Sequence, residues 1–450
     1  MANNPSLSDW LMQAQRGVTE GVGQFGPDFL QKQTYFTVDS NTNIFTSTYG
    51  RKVWHALNNQ TRFFNAIPRV VWGNTAGWRV RTDRGSGRSR PVTETGTLPT
   101  VDVSNIAVVS SLPRIVATTF GASVKSIFTT QLEGGIGDVL AMENENAQID
   151  HVKEINEELL AGSAYLTSAG ATTTFTVPAS IAHHYKIGDA VSQDDASAGG
   201  FDRTGGSAVS AVNTSTGVVT VATGTTFADG DVSYIYSRAG FTSIDDIVAE
   251  DTATTAGPGG GAAEVRAYDL TYSGRVSGTW NAAANVDGAS GVSRDLTLQM
   301  IDKAIQKVRE NGGEPKLILM GHDQYFKMER LLLAQQRYVG QEEYTVGVGS
   351  ERTFPGTRVG LTLATYMGIP ILTDVDVPKS VGTDDAVLGS NIYVLDTDYL
   401  EIAIAQPTQY VENRDYFAAN SLVVRGLLYT LGELRCHNIW TQAKIVDLAA

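Results

Sequence analysis

The chain has a single cysteine, Cys436, so no disulfide can form within it, and covalent stapling is excluded as a source of stability. No apolar run approaches the ~20 residues needed to cross a bilayer. The opening MANNPSLSDW carries neither a basic n-region nor an apolar h-region, so neither a membrane span nor Sec export is expected. Lysine is scarce: 11 of the 34 basic residues are Lys and 23 are Arg, against 48 acids. The resulting net charge of −14 argues against a surface built throughout to grip nucleic acid, while leaving local basic patches open. Signatures of chemistry are missing as well. There is no G-x-S-x-G, no P-loop and no zinc spacing, and the glycine runs at 257–261 and 347–350 lack the flanking residues that cradle a phosphate. No catalytic, cofactor-binding or metal-ligating residue is assigned, and the chain is not read as an enzyme.

What is present reads as globular. The 450 residues are 42% hydrophobic and 18% charged, enough for two or three domains at ~100–200 residues each. The clearest run is SRDLTLQMIDKAIQKVRENGGEPKLILMGHDQYFKMERLLLAQQR, from Ser293 to Arg337. Leu298, Ile301, Ile305 and Val308 recur at helical spacing, with Asp295 as candidate N-cap and Lys307 and Arg309 near the C-terminal end of the dipole. Gly312-Gly313 ends that helix, Leu317 to Met320 forms a buried strand, and a second helix follows Gly321-His322-Asp323. His322 stands alone and reads as a turn or packing residue.

The first 65 residues are polar and loosely patterned, yet carry ten aromatics, Trp10 among them, which suits an arm lying across other surfaces. Residues 66–115 read as a long two-stranded excursion with Trp72 and Trp78 at its start and Arg79, Arg81, Arg84, Arg88 and Arg90 along it. An isolated ribbon of this kind is marginal in water, so it is expected to lie on another chain, although a solvated basic loop fits the same residues. From about Ile136 to Leu160 the pattern predicts one long helix. Its Glu143, Glu145, Glu154, Glu157 and Glu158 are expected to form a solvated acidic face, because only His151 accompanies them.

From Ala164 to Gly240 the composition turns to Thr, Ser, Gly, Val and Ala in short alternating runs, an all-β module placed as if inserted after the helix. His183-His184 is expected on a strand, with one ring buried and one exposed. A link with a flexible glycine core follows, then a return to strands. The carboxylate pairs Asp374/Asp376 and Asp396/Asp398 fall at strand ends, where turn-forming or intersubunit roles are favoured over catalysis.

In this order of parts, and in segments such as NGGEPKLILMGHDQY, GIPILTDVDVP and ENRDYFAANSLVVRGLLYTLGELRCHNIW, the chain resembles a major capsid protein of the Hong Kong 97 type, found in tailed viruses of bacteria and archaea. The resemblance implies an α+β fold of seven parts. These are an N-terminal arm (1–65), an extension loop (66–115), a peripheral domain with a spine helix (116–163), the inserted β-rich module (164–240), a linker with connecting strands (241–292), an axial domain (293–395) and a peripheral return (396–450). It also implies a homo-oligomer of hexamers and pentamers closing into an icosahedral virion shell. That shell would be assembled in the host cytoplasm around double-stranded DNA, without sequence-specific binding, and portal, scaffolding or decoration proteins are candidate partners. No Lys occurs between Trp72 and Val101, so the Lys-Asn isopeptide crosslink of the founding member has no donor here. Non-covalent locking remains, with Arg79, Arg81, Arg84, Arg88, Arg90, Trp10, Trp72 and Trp78 as intersubunit contact candidates. An encapsulin compartment, a secreted β-rich adhesin or glycan-binding protein, and an α/β hydrolase or nucleotide enzyme are the alternatives.

Overall fold

The computed structural model describes residues 61–73, 77–81, 89, 91–99, 103–104, 106–130, 138–166, 173–195, 200–201, 207–222, 232–249, 266–268, 270–271, 285–289, 291–333, 342–345, 353–356, 365–381, 387–414 and 422–450. These fall into two units. The smaller has its described residues in 118–149 and 410–428; the larger is drawn from 58–117, 150–409 and 429–450.

The described chain begins with a short helix α1 (Arg62–Ala66), strands β1 (Arg69–Val71), β2 (Gly77–Arg81), β3 (Ile106–Ser110) and β4 (Arg114–Ser123), and helices α2 (Val124–Thr130) and α3 (Val139–Leu159). Phe63 of α1 is fully buried in the main core of the larger unit, so this end of the expected arm packs on its own chain. Residues 1–60 lie outside the described residues. The 21 residues of α3 span roughly 31 Å at ~1.5 Å per residue. Ile155 and Leu159 reach the core as their spacing predicts. The expected acidic face is corrected at Glu158, which is buried, its Oε2 accepting the N–H of Phe241 at 2.8 Å.

Strands β5 (Ala164–Leu166), β6 (Thr174–Thr176), β7 (Ala190–Asp195), β8 (Gly200–Phe201), β9 (Ser207–Asn213), β10 (Val218–Val221) and β11 (Val232–Ser237) form one seven-stranded sheet. The path runs β5-β11-β7-β9-β10-β6, with β8 on β7, and Phe175, Val191, Val219 and Ile235 lie in a core of its own. First and last strands are neighbours, Ala164 opposite Tyr234, so the chain enters and leaves the sheet at one place. His183-His184 is not on a strand. The pair sits in a 3-10 turn (Ala182–His184), and His184 is buried with its ring stacked on Tyr165, while His183 is half-buried.

The exit from this sheet is clamped. Arg238 is buried and donates from Nε to Asp246 Oδ2 at 2.7 Å and from Nη2 to the carbonyls of Ala161 and Gly162 at 3.1 and 2.6 Å. Residues 241–249, expected as the start of a link, are buried instead. Ser243 and Asp246 close a capping box on helix α4 (Ile244–Ile247), and Asp245 accepts from Ser163, Tyr393 and Lys444. The glycine core at 257–261 lies outside the described residues.

After the short strands β12 (Arg266–Ala267), β13 (Leu270–Thr271) and β14 (Val286–Asp287), helix α5 (Leu298–Glu310) buries Ile301, Ala304, Ile305 and Val308. Its N-cap is Thr297 rather than the expected Asp295, since the helix begins two residues later than a cap at 295 requires. Strand β15 (Leu317–Met320) is buried throughout, and α6 (His322–Leu333) starts at His322. The strands β16 (Glu342–Thr345) and β17 (Thr353–Gly356) pair with each other. They precede β18 (Thr365–Tyr366), β19 (Ile369–Thr373), β20 (Lys379–Val381), β21 (Val387–Ser390), β22 (Ile392–Leu395), β23 (Leu400–Asn413), β24 (Val423–Cys436) and β25 (Ala443–Ile445).

A six-stranded mixed sheet runs β14-β25-β22-β15-β19-β18, and a second sheet runs β1-β23-β24-β4. Leu317 to Met320 read as a continuous apolar run because β15 has a partner on each side and α5 and α6 residues in the same core. Two Asp-x-Asp turns share one layout. Asp374 Oδ1 accepts Asp376 N and Asp396 Oδ1 accepts Asp398 N, both at 3.1 Å; the second Asp of each pair then takes a lysine, Lys153 and Lys316 respectively. In the smaller unit Phe120 stacks on Tyr410 with ring centroids 6.0 Å apart. A Cβ at Gly426 would lie 2.3 Å from Phe120 Cζ, so any larger residue there must displace the ring.

Candidate assembly interface

Strands β2 and β3 pair antiparallel, with Gly77 opposite Ser110, Trp78 opposite Val109, Arg79 opposite Val108, Val80 opposite Ala107 and Arg81 opposite Ile106. Alternation across a strand gives this ribbon two chemically different faces. Trp78, Val80 and Val109 face inward and pack on the main core of the same chain. Arg79, Arg81, Ile106 and Val108 face outward, the two apolar side chains 57% and 71% exposed. A Cβ at residue 77 would sit 1.9 Å from the Val109 carbonyl oxygen, so glycine lets the two strands close at the ribbon's foot.

The foot is held by aromatic rings. Trp78 meets Tyr268 and His437 edge-on at 4.9 and 5.1 Å, and the Arg435 guanidinium stacks 3.7 Å from the Trp72 ring centroid. A desolvated contact of the last kind contributes about 2 kcal/mol. Trp72 is further pinned by its N–H, which donates to the Ile404 carbonyl at 2.8 Å. Burial lowers the Arg435 pKa from its ordinary value, with Glu401 the largest opposing influence.

Of the sequence-predicted contact residues, Arg79 and Arg81 thus stand together on one outward face, and Trp72 and Trp78 lie at its foot against their own chain. Trp10, Arg84, Arg88 and Arg90 lie outside the described residues. The apolar half of the face, Ile106 and Val108, was missed because β3 reads in sequence as an ordinary half-buried strand. Arg435 was missed because Leu434, Arg435 and Cys436 are buried in succession, and alternation carries no signal there. The Asp pairs belong to turns within the chain, as described above. Among the described residues no group of three His, Cys, Asp or Glu could hold a metal ion, and no helix is long and apolar enough to cross a membrane.

Residues 32–415 match the family model of the SU10 major capsid protein. A chain of the cyanophage A-1(L) capsid asymmetric unit is similar with a TM-score of 0.51 at 13% identity, covering 89% of this chain and 96% of that one. The capsid of an empty GTA particle is similar at a TM-score of 0.45 and 10% identity, covering 88% and 93%. The SrpI encapsulin of Synechococcus elongatus PCC 7942 reaches 0.37 at 9% identity, covering 93% and 94%. No curated protein sequence matches. The α+β fold is therefore of the Hong Kong 97 type, and a family model spanning most of the chain assigns this protein to the SU10 major capsid proteins, the structural subunits of tailed-phage virion shells.

Proposed function

We propose that copies of this chain form hexamers and pentamers that close into an icosahedral shell around double-stranded DNA, locked without covalent crosslinks. The outward face of the β2–β3 ribbon carries this reading. It places two guanidinium groups beside Ile106 and Val108, a surface that gains both by burial and by bidentate pairing with carboxylates on a neighbouring copy. Each such contact is modest, and many acting together on one subunit make a durable shell. In this reading residues 1–65 are the arm, 66–115 the extension loop, 130–162 the spine-helix region, 293–395 the axial domain that clusters at capsomer centres, and 396–450 the peripheral return. The module at 164–240 lies on the exterior. A net charge of −14 suits a container that encloses DNA without adhering tightly to it. Portal, scaffolding or decoration proteins would join such a shell.

Negative-stain microscopy of the purified chain tests the reading. Closed particles or capsomers with fivefold and sixfold symmetry are expected; a strictly monomeric species across salt and concentration would overturn it. Particles from infected cells should contain DNA, whereas a protein cargo in its place would move the reading to an encapsulin-like compartment.

A further inference from the structure

Arg435, near the end of β24, is 7% exposed, and its guanidinium lies 3.7 Å from the Trp72 ring centroid and 5.9 Å from that of Trp78. Its Nε and Nη2 are buried and have no hydrogen-bond acceptor, and neither has the indole Nε1 of Trp78. Nε and Nη2 together make the side-on edge of a guanidinium, two parallel N–H groups at the spacing of the two oxygens of a carboxylate. Folded proteins rarely leave such donors unpaired, because a buried donor without an acceptor bears its desolvation in full. The carboxylates nearest in the chain are engaged elsewhere. Glu401 faces His437 Nε2 at 3.1 Å, and Glu433 accepts from Thr242 N and Leu434 N and pairs with Arg114.

We propose that the Nε–Nη2 edge of Arg435 is a socket for a carboxylate of a second copy of this chain, received at the foot of the ribbon when subunits join. The inference rests on the shell reading above. Three observations select this occupant. The unpaired edge matches a carboxylate and leaves no role for an apolar group. The chain carries 48 acids against 34 basic residues, so every neighbouring copy brings surplus carboxylates. The socket also lies at the foot of the ribbon whose outward face is the candidate contact surface. Trp72 covers one side of the guanidinium, and in so dry a site an ion pair formed on assembly is far stronger than one on the surface. Because these donors are closed to solvent within one chain, the groups covering them must shift to admit the carboxylate.

Two variants separate this socket from a merely structural arginine. Arg435→Met removes the charge at similar length, and Arg435→Lys keeps the charge but loses the paired edge. Each is compared with wild type as unassembled subunit, by melting temperature, and as assembled particle, by the rate of dissociation in denaturant followed by light scattering. The Arg435→Met subunit should melt close to wild type, since removing an unpaired buried charge offsets the lost stack on Trp72. Particles of both variants should dissociate about tenfold faster or more, the loss expected for a charged hydrogen-bonded pair. Subunits weakened as much as particles would show that the edge is satisfied within one chain, and particles as durable as wild type would show that water fills it; either overturns the socket. If Arg435→Met does not fold, the lysine variant carries the test alone. Wild-type chain that forms no particles would remove the shell reading and the socket with it, whereas durable variant particles would remove the socket alone.

Discussion

Arg79 and Val108 stand directly opposite each other across the β2–β3 ribbon, and both side chains point outward. A cation and a large apolar group side by side on an exposed strand pair is a poor arrangement for a surface meant to stay in water. It is a good one for a surface meant to be covered, and it makes the ribbon separable from the fold that carries it. Replacing Arg79 and Arg81 with Ala should leave subunit stability within about 0.5 kcal/mol, as for exposed positions in general. Particle yield should fall, and more steeply at low salt, where the lost charge pairing is strongest. Sedimentation of variant and wild type over a salt series checks both, and an unchanged yield would remove the ribbon from the interface.

Two buried glutamates predict a pH response. Burial pushes the Glu158 carboxyl up to about 8 against the opposing hydrogen bond from Phe241, and it pushes Glu433 up to about 7 despite Arg114. Unfolded, both titrate near 4.5. Between 4.5 and these raised values the folded chain keeps protons that the unfolded chain has released. Stability is thus full below the lower value and declines as pH rises through 7 for Glu433 and 8 for Glu158. The slope approaches ~1.4 kcal/mol per pH unit for each group. Urea midpoints from mildly acidic to mildly alkaline pH should fall accordingly, and Glu158→Gln should flatten the upper part of the fall.

The two Asp-x-Asp turns should respond differently to truncation. Asp374 is fully buried and accepts the Phe63 N–H at 3.0 Å as well as the Asp376 N–H. Asp374→Ala therefore strands buried amides at about 1–3 kcal/mol each, read as a lowered denaturant midpoint. Asp398 pairs with Lys316 in the open, so Asp398→Ala should leave that midpoint unchanged.

Close packing at Gly426 yields a third kind of variant. With Phe120 Cζ 2.3 Å from where an alanine Cβ would lie, Gly426→Ala must displace the ring that stacks on Tyr410. Overpacking of this kind costs about 1–3 kcal/mol. Tyrosine near-ultraviolet circular dichroism should change in the same variant.

The inserted sheet should be removable with its ends kept. Ala164 faces Tyr234, so a short linker can replace 165–234 without moving the flanks. Ser237 and Arg238 must stay, because the Arg238 guanidinium holds the carbonyls of Ala161 and Gly162. The trimmed chain should fold and assemble; global unfolding, seen by circular dichroism, would show that the sheet is part of the main core. A cut that also removes Arg238 should lose about 3–5 kcal/mol, since Asp246 is left buried without its partner.

The run from α5 through β15 to α6 was legible because its signals are local: helical spacing of apolar residues, a double glycine, and a short strand apolar on both faces. The strands of the inserted sheet were legible for the same reason, by alternation between turn residues. Glu158 was misread as a surface acid because nothing within its own helix announces that the backbone of Phe241, far along the chain, will donate to it. His183-His184 was misread as strand because a turn of 3-10 helix leaves almost no pattern in three residues.

The α+β class, the long helix, the lysine-poor and arginine-bearing ribbon and the resemblance to a capsid subunit are written in the order of residues, since they rest on local periodicity, composition and order of parts. Which face of the ribbon is outward, the stacking of Arg435 on Trp72, and the lack of an acceptor on its side-on edge came from the folded chain alone. Those depend on strand register and on residues hundreds of positions apart meeting in one place, where burial converts an ordinary arginine into a charge that needs a partner.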